Sequence, residues 1–137
     1  THGFVNEAKP EFSGVFMSQN EDSDEDCVLF ASEIYNLNIN ADLVTLSACE
    51  TGLGRMAYGE GIVGLSRAFF YAGAQSLVVS QWQVNDASTA ELMVDFYDQL
   101  LAGTTKAEAL RKAKLKLIAS DRFKQPYYWA PFVLVGQ

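Results

Sequence analysis

The sequence predicts a layered α/β fold with a mostly parallel sheet. Three observations predict it. Apolar runs of strand length alternate with longer stretches of helical periodicity. Two of those runs, residues 42–48 (DLVTLSA) and 76–82 (SLVVSQW), are apolar through their centres, as in strands covered on both faces. Hydrophobic residues make up 49% of the 137 residues and charged residues 20%, which fits one packed domain and not a disordered chain.

Each element follows in order, with no internal repeat. Residues 12–18 (FSGVFMS) read as a short strand. Residues 19–26 (QNEDSDED) read as a solvated acidic turn, because they lack the glycine and distal glutamate of a calcium loop. Residues 27–30 return as the partner strand, and residues 31–37 form a short helix starting near Ala31 or Ser32. The strand at 42–48 leads into a loop at 49–59 that holds Gly52, Gly54 and Gly59. Residues 60–71 are helical, with Gly73 as the C-cap. After the strand at 76–82, residues 86–101 form an amphipathic helix, opened by Asn85 and Asp86 as caps and closed by Gly103. Residues 105–120 form another, with Ala109, Ala113 and Leu117 inward and Lys and Arg outward. Residues 132–135, after Pro131, make the last strand.

The charge balance narrows the function. Asp plus Glu is 17, Lys plus Arg is 10, and the formal net charge is −7. That disfavours a nucleic-acid binder, which would show a basic face. It also removes the usual attraction to anionic membranes. No apolar run reaches the ~18 residues of a membrane span, and Arg67 interrupts the longest, residues 62–74. The two cysteines, Cys27 and Cys49, lack CxxC spacing and are too few for a disulfide framework. Free thiols point to a reducing compartment, so the expected location is the cytoplasm. The sequence leaves a Cys27–Cys49 bridge open.

Functional groups in such folds gather at the carboxyl ends of the strands. Cys49 lies just past the end of one predicted strand, and residues 81–86 just past the next. His2 belongs at the end of a strand that would precede it. A thiol is a strong nucleophile only as thiolate, and an imidazole can take its proton. The backbone N–H groups of Gly3 and Cys49 could form an oxyanion hole. The plainer readings are a packed thiol and an ordinary surface or core histidine. That both sit at strand ends beside small residues favours the reactive pair. Glu50 reads as structural, a solvated loop residue or an ion-pair partner of Arg55 or Arg67.

Several segments carry a resemblance. Residues 43–54 (LVTLSACETGLG), Gly59-Glu60-Gly61, residues 65–69 (LSRAF), Gly73-Ala74, Val79 with residues 81–86 (QWQVND), and residues 129–132 (WAPF) together resemble the CHAT domain. CHAT domains are caspase-like domains commonly fused to tetratricopeptide repeats, and the likeness runs over residues 1–137. The resemblance implies a caspase-like three-layer α/β/α sandwich. The wider caspase–separase–legumain group shares a His-Gly and a later Ala-Cys, matched here by His2-Gly3 and Ala48-Cys49. The spacing fits a caspase-type His roughly 50 residues upstream of the Cys. The family places further strands and a helix before that His, so the chain reads as the C-terminal part of a domain whose first strands are missing.

The resemblance implies a cysteine endopeptidase without metal or organic cofactor. Cys49 would attack the scissile carbonyl, and His2 would protonate the leaving amine. Gly3 and Cys49 would supply the oxyanion donors. Ser47 would line the S1 pocket, with Gln81, Trp82 and Asp86 in the opposite wall. Residues 81–86 look like the separase segment whose Asp meets a basic P1 side chain, which would make Asp86 a P1 selector through charge-assisted hydrogen bonds. The competing reading makes Asp86 the cap of a helix beginning at Ala87. Trp82 reads as a cleft wall or core aromatic rather than a cation–π partner. The implied partners are a protein or peptide substrate and a tetratricopeptide region in the same or another chain.

Two other functions stand against this one. A CHAT-like domain could keep these residues and act only as a scaffold or interaction module. Residues 59–64 (GEGIVG) also spell the GxGxxG of a dinucleotide site. The strand before them ends near Ala48, however, and a loop of about ten residues is too long for that fingerprint's tight turn.

Overall fold

The computed structural model describes residues 3–4, 6, 8–18, 26–47, 49–50 and 60–136, with the backbone alone at 49–50 and 60–63. The expected acidic turn falls mostly on residues 19–25, and the expected glycine loop on 51–59; both segments lie outside the described residues. Strand β6 (Ser76–Ser80) is the backbone of the fold, and all five of its residues are buried. Leu77 and Val79 join one core cluster with Leu65, Ala68 and Phe69 of α2 (Glu60–Tyr71). Val78 points the other way, into a second cluster with Leu92 and Phe96 of α3 (Asp86–Leu101) and Ala113 and Leu117 of α4 (Lys106–Ala119). Successive side chains of a strand alternate faces, so β6 is covered on both. Around it, the sequence's α/β layering is realised as helix, sheet, helix.

The sheet directions are where the expectation needs correction. Strand β6 lies between β4 (Val44–Leu46) and β7 (Phe132–Gly136), parallel to the first and antiparallel to the second. A second sheet has the order β3-β2-β1-β5, with β1 at Gly3–Phe4, β2 at Gly14–Phe16, β3 at Val28–Phe30 and β5 at Cys49–Glu50. There, β1–β5 is parallel while β1–β2 and β2–β3 are antiparallel. Three of the five described pairings are thus antiparallel, and the sheet is not mostly parallel. The reason lies in the connections. One crossover helix returns the chain to the end where the strand began, which gives a parallel neighbour. After β6 the chain instead passes through α3 and α4, an antiparallel pair in which Lys112 bonds Gln99 and Lys116 bonds Asp95. Two such helices bring it back to the end it left, so β7 runs the other way.

Of the expected strand at 42–48 the structure describes β4, at Val44–Leu46; Cys49–Glu50, expected to open the glycine loop, instead form β5 in the four-stranded sheet. The helix expected at 31–37 is shorter, as α1 (Ala31–Ile34), and Glu33 reaches back to accept the Phe30 N–H at 2.8 Å. Gly73 and Gly103, at φ +103° and +83°, end α2 and α3 as expected. Four short elements were not foreseen: β1 at Gly3–Phe4, β5 at Cys49–Glu50, a 3-10 turn at Pro10–Phe12 and α5 at Pro126–Trp129, the last two opened by a proline in the first turn.

Candidate functional site

Two of the candidate residues, Gly3 and Cys49, meet within the four-stranded sheet. Strand β1 lies beside β5 in parallel, with Gly3 opposite Cys49 and Phe4 opposite Glu50. Gly3 and Cys49, far apart in sequence, are therefore on adjacent strands. Paired strands lie about 4.8 Å apart, so the backbones of Gly3 and Cys49 are immediate neighbours. His2 and Ala48 lie outside the described residues, and at Cys49 and Glu50 only the backbone is described. The expected contacts of Glu50 with Arg55 or Arg67 cannot be placed for the same reason.

β1 is held from its other side by β2, with Gly3 opposite Val15 and Phe4 opposite Gly14. Gly14 sits there because a Cβ would come to 2.7 Å of the Leu29 carbonyl oxygen. On that face Phe4 packs against Phe16 and Phe30, with ring centroids 4.9 and 6.1 Å away. On the opposite face Val15 enters the core shared with α2. The strand that carries Gly3 is thus fixed by the core on one side and by an aromatic cluster on the other.

The second wall of the site follows β4 and β6. Ser47, half-buried just past β4, accepts a 3.5 Å hydrogen bond on its carbonyl from the buried Ser80 hydroxyl at the end of β6. That bond ties together the two strand ends from which the candidate groups leave. Beyond Ser80, the Gln81 N–H donates to the Pro131 carbonyl at 3.0 Å. The Trp82 Nε1–H donates to the Tyr127 carbonyl at 3.1 Å, and the Tyr127 hydroxyl donates to the Gln83 carbonyl at 2.9 Å. The segment then becomes helical. Asn85 Oδ1 accepts from the Ala87 and Ser88 N–H groups at 3.0 and 3.3 Å, so Asn85 is the N-cap.

Capping by Asn85 removes the capping role from Asp86. Asp86 does not cap the helix; it is the first helical residue, exposed, and makes no side-chain hydrogen bond or ion pair among the described residues. A carboxylate in the first turn is favoured there by the helix dipole and stays available to a ligand. Trp82 is half-buried, its indole N–H taken up by α5. Tyr127 is the residue the sequence reading missed. Its signal was Pro126, a residue suited to the first turn of a helix, followed by three aromatics in a row.

α2 lies against the 3-10 turn at Gly64, where an added Cβ would make ordinary contact with the Pro10 side chain at 3.4 Å. Residues 51–59 separate β5 from the helix, against the tight turn that a dinucleotide fingerprint needs. Among the described residues, no group of three or more His, Cys, Asp or Glu could hold a metal ion, and no helix is long and apolar enough to cross a membrane.

Comparison with known proteins adds the following. A family model described as the CHAT domain matches residues 1–137. Tetratricopeptide repeat protein 28 of Mus musculus is 35% identical over 109 residues, which is 80% of this chain and 4% of that protein. The Homo sapiens protein of the same name is 32% identical over 112 residues, 82% of this chain and 4% of that protein. The chain therefore spans about 4% of the length of these relatives.

Proposed function

The chain belongs to the CHAT domain family, and from that premise we propose that it supplies the catalytic dyad of a cysteine endopeptidase of the caspase and separase type. The observation that carries the reading is the parallel register of Gly3 with Cys49, which makes neighbours of the two segments such chemistry needs. Cys49 Sγ, as the thiolate left when His2 takes its proton, attacks the scissile carbonyl carbon. The developing oxyanion is met by the N–H groups of Gly3 and Cys49. His2 protonates the leaving amine as the C–N bond breaks. A water, deprotonated by His2, then attacks the thioester and releases the Cys49 thiolate and the new carboxyl end. No metal or organic cofactor enters these steps.

Asp86 is the proposed P1 selector. Its exposure and the capping of α3 by Asn85 leave its carboxylate available for an Arg or Lys side chain. Ser47, Gln81 and Trp82 complete the proposed S1 site. The caspase-like sandwich is the fold proposed for the domain. The proposed setting is a larger protein with a tetratricopeptide region, as in the name of the relatives, in a reducing compartment such as the cytoplasm.

The test uses the full protein that carries this chain. A peptidyl acyloxymethyl ketone with Arg at P1 is expected to alkylate Cys49, located by peptide mass spectrometry. His2→Ala is expected to slow substrate turnover by about 100-fold or more, the usual span for loss of a general acid–base. Absence of both labelling and turnover would sink the peptidase reading and leave an interaction module in its place.

A further inference from the structure

We infer that Tyr127 is the positioning residue for P1 recognition: through its hydroxyl it sets the backbone of residues 81–86, and so the place of the Asp86 carboxylate. The inference rests on the reading of Asp86 as P1 selector. The segment between β6 and α3 has no regular secondary structure of its own, so its path depends on bonds to its neighbours. Its start is tied through the Gln81 N–H to Pro131, and its end through Asn85 to α3. Between those two anchors, both side-chain-mediated ties go to one residue. The Tyr127 carbonyl receives the Trp82 indole N–H, and the Tyr127 hydroxyl donates to the Gln83 carbonyl.

Tyr127 does little for the core. It is 52% exposed, while its neighbours Tyr128 and Trp129 pack against the cluster around Phe96 and Phe132. Its ring meets Tyr128 edge-on with centroids 5.3 Å apart, a contact that phenylalanine would keep. The carbonyl tie belongs to the backbone and survives any substitution. The hydroxyl is therefore the only part of the tie that the side chain controls, and its one hydrogen bond among the described residues ends on the segment that carries Asp86. A neutral hydrogen bond at an exposed site adds little to global stability. Here it fixes a segment whose position matters to a ligand.

The experiment is a double-mutant cycle in the full protein, read on two fluorogenic peptides that differ only in Arg or Leu at P1. Tyr127→Phe is expected to raise KM for the Arg peptide roughly three- to tenfold, the scale of one lost hydrogen bond, with kcat little changed. In an Asp86→Asn background the same substitution is expected to change KM by about twofold or less, because coupled residues are not additive. Equal effects in both backgrounds, or a common fall in kcat for both peptides, would overturn the inference while the peptidase reading stood. If the wild-type protein hydrolyses neither peptide, the peptidase reading fails and a second readout decides. The Arg peptide is then titrated calorimetrically into the Cys49→Ala protein. Weaker binding on adding Tyr127→Phe supports the inference; equal or absent binding overturns it.

Discussion

The two sheets place their apolar residues differently. In the three-stranded sheet, β6 is buried along its whole length and helices cover both faces. The four-stranded sheet is built from strands of two or three residues. Only its inner face, through Val15 and Leu29, enters the core. Its outer face carries Phe4, Phe16 and Phe30, and Phe16 is 46% exposed. Cys49 lies on the second sheet, while the candidate S1 residues follow the strand ends of the first. One wall of the site thus inherits the rigidity of a packed core, while the other depends on short ladders and a few ring contacts. Functional elements are often drawn from the less stable part of a structure, where opening costs less.

The largest expected effect breaks the comparison at its strong end. Phe96 is fully buried among Leu92, Ala113, Leu117 and Phe132. Phe96→Ala should cost about 3–5 kcal/mol through lost transfer energy and the cavity left behind. That is a large part of the stability of a chain this size. Urea denaturation would show it as a fall in midpoint with the slope kept. A loss under about 1 kcal/mol would mean that this core is not the principal source of stability.

Gly14→Ala addresses the weak end. The added Cβ would meet the Leu29 carbonyl at 2.7 Å, a backbone atom that cannot swing away. Overpacking of this kind costs about 1–3 kcal/mol. Here it should be felt locally, because β2 separates β3 from β1. Amide exchange should quicken in β1, β2 and β3 and leave β6 protected. Uniform quickening across both sheets would show that the four-stranded sheet does not open on its own.

Much of this arrangement was legible in the sequence. The continuous apolar character of residues 77–79 marked β6 as a strand buried on both faces. Glycines with positive φ closed α2 and α3 where the pattern placed them. The order of two long helices before the last strand already contained the antiparallel β7, since an antiparallel pair of them returns the chain to the end it left; the expectation of a mostly parallel sheet overlooked this. Strand β5 was not legible: Cys49 and Glu50 open a glycine-rich stretch, and a two-residue strand is too short to leave a periodicity. Asn85 and Asp86 are both good capping residues by chemistry, so only the hydrogen bonds could decide which one serves.

That choice supports a third, smaller prediction. Asn85→Ala removes the oxygen that accepts the Ala87 and Ser88 N–H groups and should cost about 1 kcal/mol. Asp86→Ala loses only a favourable dipole interaction and should cost less, about 0.3–1 kcal/mol. The two thermal midpoints, measured side by side, check the order. A larger loss from Asp86→Ala would return the capping role to Asp86 and take from it the freedom that P1 recognition needs.

The smallest effect concerns the surface of the well-packed half. Glu108 and Arg111 form a bidentate pair one turn apart on α4, with both bonds at 2.7 Å. The Arg111 hydrogen bond is the chief cause holding the Glu108 carboxyl below its ordinary range. A carboxyl whose pKa is lower when folded takes up fewer protons in the native state. The pair's contribution is therefore present above the unfolded pKa and is lost as pH falls through the folded one. Wild type should exceed Glu108→Gln in thermal midpoint slightly near neutral pH, and the gap should close in the acid range below the ordinary carboxylate pKa. High salt should narrow it as well, because both groups are exposed to screening. A gap that stayed constant with pH would mean that Gln disturbs α4 by some means other than charge. A gap as large as that of Phe96→Ala would mean that surface pairing, and not the buried layer around β6, distinguishes the two halves.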